Sequence, residues 1–194
     1  MPGAGASATF WRPLGDRLAA AEKVYFHWPG LGNEAPDPAV NSLDDLVAMV
    51  EREAGEGPVD LLAQSMGGVV ALRVALEIPE AVRRLVLVAT SGGIDAARTA
   101  ARLYDWRESY RRNYPNAARW IVDDTTELTG RVGEIAAPAL LLFGDADPIA
   151  PPSVGERLAR LMPDAHLEII RGADHDLVLN HIDEALPLIE AHLS

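Results

Sequence analysis

Ser65, Asp147 and His175 are the side chains whose types and settings fit nucleophilic chemistry. Ser65 lies in Ala63-Gln64-Ser65-Met66-Gly67-Gly68, between the apolar run ending Val59-Asp60-Leu61-Leu62 and the apolar run Val69-Val70-Ala71-Leu72. That is where a buried strand gives way to a buried helix. A serine raised on such a turn needs small neighbours two residues to either side, and Ala63 and Gly67 supply them. The Met66 amide, on the first helical turn, then points at whatever Ser65 attacks. A hydroxyl nucleophile needs a base to take its proton, and the base needs a carboxylate to fix its tautomer and stabilise its cation. Asp147, in Gly144-Asp145-Ala146-Asp147-Pro148, and His175, in Arg171-Gly172-Ala173-Asp174-His175, fill those places. Alternatives stay open at each position. The hexapeptide also fits a plain helix start, Asp147 could begin a turn, Asp145 is a rival acid, and His27, His166, His181 and His192 are rival bases.

The elements that must position these groups alternate along the chain. Pro2-Gly3-Ala4-Gly5-Ala6-Ser7 reads as a glycine-rich loop, followed by Phe10-Trp11 and an amphipathic segment to about residue 20. A dinucleotide-binding reading of that loop fails, because such a loop follows a strand. Val24-Tyr25-Phe26 reads as a short strand running into His27-Trp28-Pro29-Gly30-Leu31-Gly32-Asn33. Ser42 and Asp45 form a capping-box pattern, and Leu43, Leu46, Val47 and Val50 make one apolar stripe, which predicts a helix. The strand Val59–Ala63, the serine turn and an apolar helix to Pro79 follow. Leu85-Val86-Leu87-Val88-Ala89 and Ala139-Leu140-Leu141-Leu142-Phe143 are continuous apolar runs of the kind found in parallel strands covered on both faces. A helix over about 153–161, a strand over 167–170 and a last helix complete the chain. Short connections between alternating strands and helices predict a doubly wound parallel sheet in a single domain over 1–194. In such a sheet, ligands bind beyond the carboxyl ends of the strands, where all three candidates fall.

Composition narrows the class of function. The 194 residues carry a formal net charge of −12 and no cysteine. The acidic balance opposes nucleic acid and anionic lipid, and no basic stripe offsets it. Without thiols there is neither a disulfide framework nor a cysteine metal site. No apolar run approaches the ~18 residues of a membrane span, and the first residues lack the pattern of a secretion signal. The expectation is a soluble cytoplasmic protein acting on small neutral molecules. Residues 94–130 break the rhythm with dense mixed charge and aromatics, among them Tyr104, Trp106 and Tyr110.

These motifs together resemble the α/β-hydrolase fold over nearly the whole chain. Pro2–Ser7 with Phe10-Trp11 resembles that family's oxyanion loop, and Pro29-Gly30-Leu31-Gly32 its D-x-P-G-x-G loop. Ala63–Gly68 resembles its nucleophile elbow, Gly144–Pro148 its acid turn and Gly172–His175 its histidine turn. The resemblance implies nucleophile Ser65, acid Asp147 and base His175, oxyanion amides from Met66 and Ala4, and no cofactor or metal. It makes 94–130 a short cap inserted between core segments 1–93 and 131–194. The cap usually shapes the substrate pocket, for which Trp28, Tyr104, Trp106 and Tyr110 are candidates.

Departures from the family pattern carry consequences. Ala63 replaces the first elbow glycine, and Pro2 stands where the family has histidine. The family also places a central strand ahead of the oxyanion loop and two edge strands before that, whereas only Met1 precedes Pro2 here. A longer natural start, a shift of Val24–Phe26 beside Val59–Ala63, or a second copy of the chain in a homodimer could fill that place. In the second case His27-Trp28-Pro29-Gly30 becomes the oxyanion loop and Trp28 replaces Ala4 as donor. The expected activity is hydrolysis of small apolar esters through an acyl-enzyme. A binding module that has lost catalysis, and a perhydrolase or carbon-carbon bond hydrolase of the same fold, are the alternatives.

Overall fold

The computed structural model describes the chain except for Ala6, Ala20, Ala21, Glu56, Arg102 and Leu103, and the side chains of Arg98 and Ala101. A 3-10 turn over Ala8–Trp11 leads into the short helix α1 (Arg12–Gly15). Then follow α2 (Leu43–Ala54), β1 (Val59–Gln64), α3 (Met66–Glu77), β2 (Val82–Val88), α4 (Asp95–Ala101), α5 (Trp106–Asn113) and α6 (Trp120–Asp123). The last third holds β3 (Ala139–Gly144), α7 (Pro152–Leu161), β4 (Ala165–Ile170), α8 (Leu177–Asn180) and α9 (Ile182–Leu193). The expected periodicities are realised. Ser42 caps α2 by accepting the Asp45 amide at 3.3 Å, and the Asp45 carboxylate answers by accepting the Asn41 amide at 2.8 Å. Leu43, Leu46, Val47 and Val50 are all buried.

The strands form one parallel sheet in the order β1-β2-β3-β4, in register Leu61↔Leu85, Leu85↔Ala139 and Ala139↔Ala165. Every residue of β3 is buried, so this strand is covered on both faces. Its uninterrupted apolar sequence is the result of that double burial. Helix α3 packs on β1 and β2, α2 packs on α3, and α7 packs on β3 and β4. Residues 94–130, the expected cap, contain α4, α5 and α6. Among the described residues, no helix is long and apolar enough to cross a membrane.

The outer edge of β1 differs from expectation. Val24–Phe26 is not a strand and does not move in beside β1. A strand exists only where a neighbour lies about 4.8 Å away to close the ladder. Here a groove of ≈ 490 Å³, lined by Val24, Tyr25 and Phe26 and by Val59, Leu61 and Leu62, runs along that edge instead. Met1 makes a rung there: its amine donates to the Leu62 carbonyl at 2.7 Å, and its carbonyl accepts the Gln64 amide at 3.0 Å. Burial pushes the amine down to about 5 from the ordinary 8.0.

Candidate active site

Ser65 closes the step from β1 to α3 with φ 55 and ψ −122, a left-handed conformation rare outside glycine. A Cβ at Gly67 would lie 2.5 Å from the Pro2 carbonyl oxygen, so only glycine lets α3 approach the N-terminal loop this closely. The Thr90 hydroxyl donates to the Ser65 carbonyl at 2.6 Å and fixes the turn from the β2 side.

The three predicted side chains meet. Ser65 Oγ lies 3.0 Å from His175 Nε2, and His175 Nδ1 lies 2.8 Å from Asp147 Oδ2. The Asp147 side chain is fully buried, and its other oxygen accepts the Ile149 and Ala150 amides at 2.7 and 3.1 Å. Those bonds hold the carboxylate in one orientation, and with it the imidazole tautomer that leaves Nε2 facing the hydroxyl. The rivals are placed elsewhere. Asp145 accepts the Gly172 amide at 2.6 Å and so ties down the turn that carries His175. His166 pairs with Glu168 and His181 with Glu184; His27 is exposed, and His192 lies in α9.

A cavity of ≈ 440 Å³ opens over Ser65 and His175. Ala4 and Met66 line it, and Met66 is the first residue of α3, where an amide has no intrahelical acceptor. Tyr104, Trp106 and Tyr110 also line it, as the sequence predicts. Trp28 does not. Its side chain is completely buried, stacks on Phe26 at 5.5 Å, and donates its indole N–H to the Pro2 carbonyl at 2.8 Å. Trp28 is therefore a strut under the N-terminal loop and not a wall of the cavity, and the placement of Val24–Phe26 beside β1 on which its role as a rival donor depended does not occur. Tyr114, one of the aromatics clustered in 94–130, lines it too, and further apolar wall comes from Leu43, Val69, Ile94, Ile121 and Ile149, which sequence reading missed. Only the placement of Ile121 within 94–130 gave any signal for them.

The N-terminal loop is held by side chains distant in sequence. Trp11 donates to the Met1 carbonyl at 2.8 Å, and the Tyr110 hydroxyl donates to the Ala4 carbonyl at 3.2 Å while accepting the Gly32 amide at 3.0 Å. Burial raises the Tyr110 phenol above its ordinary range, which keeps it protonated as a donor. Among the described residues, no group of three or more His, Cys, Asp or Glu could hold a metal ion.

A family model described as "Alpha/beta hydrolase family" matches residues 1–188. The chain belongs to the alpha/beta hydrolase family. Within it, this hydrolase is 29% identical over 239 aligned residues to polyketide synthase ThaQ of Burkholderia thailandensis, covering all of this chain but 11% of that much longer protein. It is 24% identical to the 2-hydroxy-6-oxo-6-phenylhexa-2,4-dienoate hydrolase of Burkholderia cepacia, over 94% of this chain and 80% of the relative. A pimeloyl-[acyl-carrier protein] methyl ester esterase of Neisseria meningitidis is 25% identical over 93% of the chain and 86% of its own length. Among solved structures, Rv0554 from Mycobacterium tuberculosis superposes with a TM-score of 0.77 at 21% identity, covering 100% of this chain and 88% of that one. That likeness carries the fold. The hydrolases among the relatives support a hydrolytic enzyme.

Proposed function

We propose that this hydrolase cleaves small esters with an apolar acyl group through a covalent acyl-enzyme. One observation carries the reading: the unbroken hydrogen-bonded path from Ser65 through His175 to the buried Asp147. His175 Nε2 takes the Ser65 proton as Oγ attacks the ester carbonyl carbon. The negative charge that develops on the carbonyl oxygen rests on the Met66 and Ala4 amides, with no metal or cofactor required. The imidazolium gives its proton to the departing alkoxide, and the acyl group stays on Ser65. The same histidine then deprotonates a water that attacks the acyl-enzyme, and the acid leaves as Ser65 recovers its proton.

The cavity supports the substrate class. Val69, Ile94, Trp106, Ile121 and Ile149 offer an apolar surface for an acyl chain, and Arg107, Asp124 and Asp176 place charges of both signs on the same lining. The pimeloyl ester esterase among the relatives is consistent with ester chemistry, on that relative's own substrate. The test is turnover of p-nitrophenyl esters of graded acyl length. Hydrolysis by the wild type that falls about 10⁶-fold in Ser65→Ala and comparably in His175→Ala is expected if the three act as a unit. Stoichiometric ester binding without turnover would make the protein a binding module instead.

A further inference from the structure

The residue before the nucleophile, Gln64, has no role in the relay described above, yet its side chain is almost wholly buried, at 3% exposure. Its Oε1 accepts the Gly3 amide at 2.9 Å, and its Nε2 donates to the His175 carbonyl at 3.2 Å. Both partners are backbone groups of fixed polarity, so the amide has one orientation in which both bonds exist. We infer that Gln64 is a positioning residue that clamps the oxyanion loop and the histidine loop to the nucleophile strand, so that all three move as one body.

The geometry explains why one side chain can do this. Gln64 is the last residue of β1, anchored by the β2 ladder at Gln64↔Val88 and by its own amide to Met1. The two loops it touches come from opposite ends of the chain, 61 and 111 residues away. Gly3 immediately precedes Ala4, whose amide is the proposed oxyanion donor, and the His175 carbonyl belongs to the residue whose imidazole is the proposed base. The fit leaves no slack, because a Cβ at Gly3 would lie 2.5 Å from Gln64 Oε1 and 2.9 Å from Ser65 Cβ. A primary amide alone among uncharged side chains of this length offers an acceptor at one tip atom and a donor at the other. Methionine matches its length and volume but offers neither. An error of about 1 Å between base, nucleophile and oxyanion donors costs on the order of 10²-fold in rate.

This inference rests on the proposed esterase chemistry, and the experiment separates the two. Wild type and Ser65→Ala are compared first on p-nitrophenyl acetate; turnover in the first and none in the second secures the chemistry independently of Gln64. Gln64→Met is then measured for kcat, KM and inhibition by phenylboronic acid, which becomes a tetrahedral anion on the serine. The clamp predicts a fall in kcat of about 10–100-fold, KM within about twofold of wild type, and a loss of boronate affinity parallel to kcat. A variant that keeps kcat and boronate affinity within about twofold, or that loses only KM, overturns it. A second measurement needs neither activity nor a folded variant: hydrogen exchange at the Gly3 amide of the wild type. Strong protection at this third residue is expected, and exchange at the rate of an unstructured terminus overturns the clamp.

Discussion

The serine turn depends on a residue that does no chemistry. The Thr90 hydroxyl, with no exposed surface, donates to the Ser65 carbonyl at 2.6 Å and accepts the Gly92 amide at 3.1 Å. Valine has nearly the same shape without the hydroxyl, so Thr90→Val leaves the buried Gly92 amide without its acceptor and the Ser65 carbonyl with only the Gly68 amide, at 3.0 Å, as donor. The expected cost is about 1–3 kcal/mol, read as a lower urea midpoint with an unchanged m-value. An unchanged midpoint would mean that water replaces the hydroxyl. At this scale the sequence was most legible where each candidate announced itself locally. Ser65 sits between two apolar runs with small flanking residues, and Asp147 and His175 each follow a strand within a few residues. Thr90 and Gln64 gave no such sign, and Tyr110 signalled only a pocket wall, because what makes all three matter is a partner far away in the chain.

At the scale of elements, α5 is fastened directly to the N-terminal loop that lines the Ser65 cavity. The Tyr110 hydroxyl joins the Ala4 carbonyl and the Gly32 amide, and a Cβ on Gly5 would lie 2.9 Å from the Tyr114 ring. Segment 94–130 and the N-terminal loop are therefore one assembly, which goes beyond the expectation that Tyr110 lines a pocket. Tyr110→Phe keeps the ring and removes both bonds. With one hydrogen bond worth about 1 kcal/mol, the expected result is a loss of roughly tenfold in kcat/KM on p-nitrophenyl acetate, with the fold intact by circular dichroism. Full activity would uncouple the cap from the loop. The helices and paired strands could be read from their periodicity. Val24–Phe26 could not: its sequence suits a strand, but the ladder that makes one needs a neighbour, and a groove occupies that place.

Across the whole molecule, a cluster of charge at the base of the sheet sets a pH dependence. His192 on α9 is held below its ordinary range, first by burial and then by the Arg84 guanidinium, which donates to the Leu193 carbonyl at 3.0 Å; the backbone at Leu85 and Pro138 and the Asp60 carboxylate act in the opposite direction. Because the folded imidazole resists protonation, the unfolded chain takes up this proton first as pH falls through about 6.5. The folded state is then at a disadvantage that grows until the lower, folded value is passed. Melting temperature is expected to drop more steeply from pH 8 to pH 5 in the wild type than in His192→Gln. Parallel curves would show that carboxylates alone set the acid limb. The parallel order of the sheet and the gathering of three remote side chains at its carboxyl edge were legible in the alternation of strands and helices. The outer edge of β1, bonded to Met1 and otherwise lined by a groove, was legible only as a question, since three arrangements fitted the sequence.

The most direct measurement for the molecule as a catalyst is covalent capture by a fluorophosphonate, followed by intact mass and peptide mapping. A single adduct on Ser65 is predicted, formed rapidly by the wild type, slowly by His175→Ala and not at all by Ser65→Ala. An adduct that persists at full strength in Ser65→Ala, or maps to another residue, would contradict the account at its centre.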